Sequence, residues 1–155
     1  IALAFDEKDL SENSNMIKDD IILGKAMNKF KALIEAQGGD SSYLESPDKF
    51  PKAKYILPVY STGEGFIKEI DAEMVGDLAR YLGAGRMKNE EDVDKTSGII
   101  LNKKIGDSVE TGEVIATIHA NDEKKALSST KILEEAFKIT TKKIILSSRI
   151  VEIIK

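Results

Sequence analysis

The chain contains no cysteine and only one histidine among its 155 residues. The absence of cysteine excludes disulfides, thiolate zinc sites, iron–sulfur clusters and cysteine nucleophiles, and a single histidine excludes any site that needs two imidazoles. No apolar run approaches the roughly 20 residues that a membrane-spanning helix requires, so we expect no membrane partner. A chain without cysteine is compatible with the cytoplasm, which is the location that we expect.

The chain contains 23 basic and 27 acidic residues, so the net charge is −4 and neither sign of charge dominates. This balance argues against nucleic acid or an anionic membrane as a partner. Hydrophobic residues make up 41% and charged residues 32%, which is typical of a globular protein. The first residue is Ile1 rather than Met, and we therefore expect the chain to be a piece of a longer polypeptide.

The first third of the sequence predicts a helical arm over residues 1–39. Residues Ser11–Asn15 have low helix propensity, so we expect a weak or broken first helix. Gly24 can interrupt the apolar stripe that follows them. A strong apolar stripe follows from Ala26 to Ile34, and Gly38-Gly39 is a typical helix end. Residues 40–50 form a polar linker, which places a domain boundary before a C-terminal domain over residues 51–155.

Beyond Pro51 the pattern becomes that of an α+β domain. A strand is predicted over 55–60, at a sheet edge because of Pro58, and a second strand over 66–70. Asp71 and Asp122 are candidate helix N-caps, the second for a helix reaching about Lys138. The remaining predicted strands lie at 98–101, near Val109, and at 114–118, 143–147 and 149–154. Short strands between regular glycine turns indicate a small barrel-sandwich-like antiparallel β unit with packed helices, preceded by the helical arm.

Two motifs could bind or transform a small molecule. Gly83-Ala84-Gly85-Arg86 could hold an anion with backbone N–H groups and a guanidinium. Because a helix precedes it and Lys88 replaces the third glycine of a dinucleotide fingerprint, we interpret it as a helix end followed by a tight loop. His119 is the only candidate general base. It follows a strand and has no evident partner, so we interpret it as a packed strand-end residue.

Two further motifs fail at fixed positions. Gly24-Lys25 resembles the end of a P-loop, but Asp19 and Ala26 stand where that motif needs other residues. Asp9, Ser11 and Asn13 have the spacing of a calcium loop, but Ser14 stands where the sharp turn requires glycine. We therefore predict no catalytic, cofactor-binding or metal-binding residue in this chain.

The turns at Gly106 and Gly112 are similar to those of biotinyl and lipoyl carrier domains, which carry a modified lysine at a hairpin tip. Lys124-Lys125-Ala126 lies near one such position. Asp122 looks like a helix cap rather than a hairpin tip, and a shared architecture does not bring the carrier chemistry with it. A carrier or binding module is the alternative function.

Eight short strings occur together in a fixed order. They are Gly24-Lys25-Ala26 with Phe30-Lys31, Glu35–Asp40, Leu82–Arg86, Asp92-Val93-Asp94, Gly98-Ile99 with Leu101, Lys104–Asp107, Gly112-Glu113 and Ile118–Asn121. In this order they resemble the C-terminal part of bacterial pyrimidine-nucleoside phosphorylases, the family that includes thymidine phosphorylase. The resemblance covers essentially the whole chain and is weakest over residues 1–23.

The resemblance implies a parent enzyme with a helical domain, a central α/β domain and a C-terminal α+β domain. Such enzymes cleave a pyrimidine nucleoside with phosphate, a substrate, into the free base and ribose or deoxyribose 1-phosphate, and the resemblance implies a homodimer and no redox cofactor. Their Lys-His-Ser/Thr-Gly-Gly phosphate loop and their base-holding Arg and Ser-x-x-x-Lys segment lie upstream of the matched region. The fragment is therefore expected to be non-catalytic, to pack on the α/β domain of its own parent chain and to support the cleft. Alone, it is expected to self-associate through residues 17–34.

Overall fold

The chain divides into two structural units, residues 1–51 and 52–155, in a computed structural model that describes residues 10–86 and 92–146. The first unit is helical. Helix α1 spans Leu10–Ile22, α2 spans Lys25–Ala36, and the single turn α3 spans Ser42–Glu45. A 3₁₀ turn follows at Pro47–Lys49, so the segment predicted as a plain linker contains two short helical turns.

Glycines separate and end the helices of the first unit as predicted. Gly24 adopts a left-handed conformation (φ 73°) between α1 and α2. At the end of α2, the N–H of Gly39 donates to the carbonyl of Ile34 and that of Gly38 donates to the carbonyl of Glu35, both at 2.9 Å. These two bonds satisfy carbonyls that the helix leaves unpaired.

The predicted break in the first helix is wrong. Helix α1 runs without interruption through the Ser and Asn residues at 11–15. Asn13 is only 1% exposed, which indicates that packing of its side chain outweighs the weak helix propensity of its neighbours.

The second unit contains two three-stranded antiparallel sheets. The first has the order β1-β5-β3, formed by Tyr55–Tyr60, Val114–Ala120 and Gly98–Leu101; the second has the order β4-β2-β6, formed by Ser108–Val109, Gly65–Ile70 and Phe137–Thr140. Pro58 lies in an edge strand, as predicted. The α+β class is confirmed, although the strands form two separate sheets rather than a closed barrel.

Two helices pack on the sheets and close the core of this unit. Helix α4 spans Ala72–Ala79 and continues as one wider turn over Arg80–Ala84, while α5 spans Glu123–Glu135. Asp71 and Asp122 cap these helices as predicted, accepting from the backbone N–H groups of Met74 (2.9 Å) and Lys125 (3.0 Å). The most deeply buried large side chains of the second unit are Ile67, Ile115, Ile118 and Leu133.

The C-terminal end differs from the prediction. Helix α5 ends at Glu135 instead of about Lys138, and strand β6 begins at Phe137. Its alternating apolar residues pair with β2, Phe137 opposite Ile70 and Ile139 opposite Ile67. The strand predicted at 143–147 is wrong over 143–146, which form no regular structure, and the one at 149–154 lies outside the described residues.

Candidate functional site

A hydrogen-bonded cluster surrounds Asp94 in the second unit. One carboxylate oxygen of Asp94 accepts from the backbone N–H (2.9 Å) and the hydroxyl (2.8 Å) of Thr96. The other accepts from the hydroxyl of Ser97 (2.6 Å) and the side-chain amide of Asn121 (2.7 Å). The bond from Ser97 is the largest of the causes that hold the pKa of Asp94 well below its ordinary value, because each donor favours the charged form.

Asn121 connects this cluster to two further segments. Its side-chain N–H group also contacts the hydroxyl of Thr96 at 2.7 Å, and its side-chain oxygen accepts from the backbone N–H of Lys54 at 2.9 Å. The backbone N–H of Asp94 donates to the carbonyl of Gly83 at 2.9 Å. Through these hydrogen bonds the cluster connects the end of α4 and the loop before β3 to the start of β1 and the end of β5. Its bonds join segments that are distant in sequence, which is typical of a structural element.

Gly83 ends the helix as the sequence predicts. It has a positive φ of 115°, and a Cβ at this position would lie 3.3 Å from the Cβ of Asp94. Both facts favour glycine, because L side chains rarely adopt this backbone and the neighbouring side chain is close. Arg86 is exposed and makes no hydrogen bond to any described residue, so nothing in the described part of the chain builds an anion site around it.

His119 is the last residue but one of β5, the central strand of the first sheet, so it lies near a strand end as predicted. It pairs with Ile56 of β1 on one side and Gly98 of β3 on the other, and its side chain is half buried. Among the described residues its imidazole makes no hydrogen bond and has no hydroxyl or carboxylate partner that would make a catalytic pair.

Lys124 and Lys125 lie in the first turn of α5 and not at a hairpin tip. The ammonium of Lys125 lies 5.2 Å from the ring centroid of Tyr81, within cation–π range. No observation on these lysines favours the carrier hypothesis.

The described residues of the P-loop-like and calcium-loop-like motifs form no binding site. Lys25 forms an exposed ion pair with Asp20 at 2.8 Å, while Ser11 and Asn13 lie within α1 and Asp9 lies outside the described residues. Over residues 10–86 and 92–146, no group of three or more His, Asp or Glu residues could hold a metal ion. In the same residues, no helix is long and apolar enough to cross a membrane.

A groove lies between α4 and α5 in the second unit. Its volume is about 650 Å³, and it is lined by Asp71, Glu73, Met74, Asp77, Leu78, Tyr81, Ser128 and Ile132. The walls are mostly apolar, and three carboxylates stand at the rim. Sequence reasoning missed this groove because its two walls lie about 50 residues apart in the chain.

The Asp94 cluster was also missed, although one local signal was present. An Asp followed two residues later by Thr is a typical Asx-turn sequence, and Asp94-Lys95-Thr96 forms such a turn. The contribution of Asn121 could not be read locally, because it comes from a segment 27 residues away.

Comparison with known proteins gives one consistent result. Residues 66–140 match a family model described as the pyrimidine nucleoside phosphorylase C-terminal domain. A pyrimidine-nucleoside phosphorylase of Staphylococcus epidermidis is 46% identical over 121 residues, which are 78% of this chain and 28% of that protein. A protein of the same name from Geobacillus stearothermophilus is 40% identical over 123 residues, 79% of this chain and 28% of that protein. The chain thus spans little more than a quarter of the length of the curated relatives that it matches.

Proposed function

The chain carries a pyrimidine nucleoside phosphorylase C-terminal domain, and from this premise we propose that it is the C-terminal part of an enzyme that cleaves pyrimidine nucleosides with phosphate. In the proposed reaction an oxygen of phosphate bonds to the anomeric carbon of the pentose. The glycosidic C–N bond breaks, its electron pair leaves with the base, and the base takes up a proton. The products are the free pyrimidine and the pentose 1-phosphate.

The similarity to the relatives carries this proposal. At 46% identity over 121 residues, the match includes most of the second unit and extends beyond the 75 residues of the family model. It also agrees with the eight ordered sequence strings, which include Leu82–Arg86 at the end of α4 and Ile118–Asn121 at the end of β5.

The domain itself is proposed to be non-catalytic. The resemblance implies a phosphate loop of the type Lys-His-Ser/Thr-Gly-Gly, but the single histidine of this chain stands between Ile118 and Ala120. The chemistry therefore depends on residues outside this sequence. Phosphate is a substrate of the proposed enzyme, and no further cofactor is required for a substitution of this kind.

The proposed role of the domain is to pack on the α/β domain of its own chain, to shape one side of the active-site cleft and to support its closure. The internally bonded Asp94 cluster supports this role, because it gives the domain a fixed surface rather than a reactive one. The enzyme is further proposed to be a cytoplasmic homodimer.

In isolation, the chain is proposed to self-associate through residues 17–34. Helix α2 has no buried residue, and Met27, Phe30 and Leu33 are each about half exposed. A helix of this length is marginal in water without cover for its apolar face, and a second copy of the same face could supply that cover.

A hybrid enzyme tests the proposed function. The present chain replaces the matched 123 residues of the G. stearothermophilus relative, and release of uracil from uridine or thymine from thymidine is followed with and without phosphate. We expect the hybrid to release base only with phosphate, and the isolated chain to release none. An inactive but folded hybrid would overturn the proposal.

A further inference from the structure

The two sheets of the second unit present opposite kinds of side chain to the outside. In the second sheet, the exposed positions of β2 and β6 are Lys68, Glu69 and Lys138. In the first sheet, the exposed positions of β1 are Ile56, Pro58 and Tyr60. A solvent-facing sheet usually alternates apolar residues inward with polar residues outward. The second sheet follows this rule and the first does not.

The strand register brings these apolar residues together on one surface. Ile56 lies opposite His119, and Pro58 lies opposite Thr117, which in turn lies opposite Ile100 of β3. Residues directly opposite one another on paired strands have side chains on the same face. Tyr60 lies opposite Val114, after an irregularity in the pairing that follows Val59, and it is exposed where Val59 is buried. We define the outer face of the first sheet by six residues, namely Ile56, Pro58, Tyr60, Ile100, Thr117 and His119.

The other side of this sheet is already covered. Ala116 and Ile118 alternate with Thr117 and His119 along β5, and both are fully buried in the core under α5. The outer face is different: Ile56, Tyr60 and Ile100 are 48%, 51% and 53% exposed. The outer face also contains no Asp, Glu, Lys or Arg, in a chain of which 32% is charged.

We propose that the outer face of the first sheet is the surface on which the upstream part of the enzyme packs. Contiguous exposed apolar surface marks interaction sites, and the centres of interfaces are depleted of charged residues and enriched in tyrosine. This inference rests on the proposed function. The matched segment is only 28% of the length of the relatives, so a large upstream part is available to cover the face.

The groove between α4 and α5 is the alternative surface on which the upstream part of the enzyme could pack. Its charged lining residues fit such a contact less well. Asp71, Glu73 and Asp77 line the groove. Asp71 already accepts from the backbone N–H of Met74, and Asp77 pairs with Arg80 at 2.9 Å. Covering the three carboxylates would still remove charge from water, which is costly unless each one keeps or gains a partner. The outer face imposes no such penalty.

Two tyrosines distinguish these surfaces without any substitution. Tyr60 belongs to the outer face and is 51% exposed, while Tyr81 lines the groove and is 43% exposed. Each is nitrated with tetranitromethane in the isolated chain and in the hybrid enzyme, and the extent of nitration is measured by peptide mass spectrometry. We expect nitration of Tyr60 to fall several-fold in the hybrid, while nitration of Tyr81 stays the same in both proteins.

The outcomes of this measurement distinguish a failure of this inference from a failure of the proposed function. An active hybrid in which Tyr60 reacts as in the isolated chain would overturn this inference and leave the proposed function standing. Protection of Tyr81 alone would overturn it in favour of the groove. A folded hybrid that lacks activity and shows Tyr60 fully reactive would overturn both proposals.

A pair of variants provides a second measurement. Ile100→Asp places a charge on the β3 side of the outer face, and Leu127→Asp places one at a similarly exposed position of α5 (58%). In the isolated chain both variants should melt near the unmodified protein. In the hybrid, Ile100→Asp should lower the melting temperature and Leu127→Asp should not. Equal melting of the two hybrid variants would contradict the inference.

Discussion

The side-chain amide of Asn121 donates to the carboxylate of Asp94 at 2.7 Å, joining the end of β5 to the loop that precedes β3. Because Asp94 also accepts from Thr96 and Ser97, its carboxylate fixes the conformation of the loop and also connects the loop to the end of β5. Asn121 in turn accepts from the backbone of Lys54. One pair of residues therefore connects three segments that are distant in sequence.

Replacing Asp94 by Asn should destabilise the second unit. The variant loses the charge and one acceptor position of a carboxylate that accepts four hydrogen bonds, and we expect a loss of about 1–2 kcal/mol. Urea unfolding measures it. Asp92→Asn is the matched control, since Asp92 is exposed and makes no hydrogen bond to any described residue. Equal midpoints for the two variants would contradict the structural role of Asp94.

The contribution of Asp94 should depend on pH in a defined direction. Its pKa is lowered in the folded protein, chiefly by the hydroxyl of Ser97, so the folded state holds the charged form more tightly than the unfolded state does. The stabilisation is complete above the unfolded pKa of about 3.9 and is lost as the pH falls towards the lower folded value.

The measurement is the difference in unfolding free energy between the unmodified chain and Asp94→Asn. We expect this difference to be constant from pH 7 to about pH 5 and to narrow below about pH 4. A difference in unfolding free energy that widens as the pH falls would contradict a lowered pKa of Asp94 in the folded protein. Comparing the two proteins removes the effects of the other acidic groups whose pKa is lowered, Asp40, Glu45 and Glu113.

Local signals predicted most elements of the fold, and long-range pairing explains what was missed. The strand 55–60, the caps at Asp71 and Asp122, and the glycine at the end of α2 each depend on residues close in sequence. The end of α5 was misplaced because no Gly or Pro separates Glu135 from Phe137, and only pairing with β2 shows that a strand begins there.

The surfaces of the second unit were equally hard to predict from the sequence. The sequence of β1 shows that Ile56 and Tyr60 alternate with Leu57 and Val59. Only the structure shows that the first pair faces outward, Ile56 opposite His119 and Tyr60 opposite Val114. His119 lies near the end of β5 as predicted, and its non-catalytic role stays a prediction.

Gly83→Ala and Gly76→Ala should have opposite effects on stability. At Gly83 the positive φ of 115° and the nearby Asp94 side chain oppose a Cβ, so we expect a loss of about 1 kcal/mol or somewhat more. Gly76 lies inside α4 with nothing within 4 Å of a Cβ, and alanine should stabilise the helix there by about 0.5–1 kcal/mol. Thermal unfolding of both variants measures this. A stabilised Gly83→Ala would contradict its role as the helix end.

Self-association of the isolated chain should depend on the exposed face of α2. Phe30→Glu places a charge among half-exposed apolar residues and should convert a dimer into a monomer in sedimentation experiments. Leu127→Glu, at an exposed position of the second unit, should leave the dimer intact. A monomeric unmodified chain, with the same melting temperature as Phe30→Glu, would end this hypothesis.

The central claim is that this chain is the non-catalytic C-terminal part of a pyrimidine-nucleoside phosphorylase. Its most direct test is the initial rate of phosphate-dependent base release by three samples. These are the hybrid, the G. stearothermophilus relative without its matched 123 residues, and the isolated chain. We predict a rate for the hybrid comparable with that of the unmodified relative, and none for the other two. A folded hybrid as inactive as the truncated relative, or turnover by the pure isolated chain, would contradict the account.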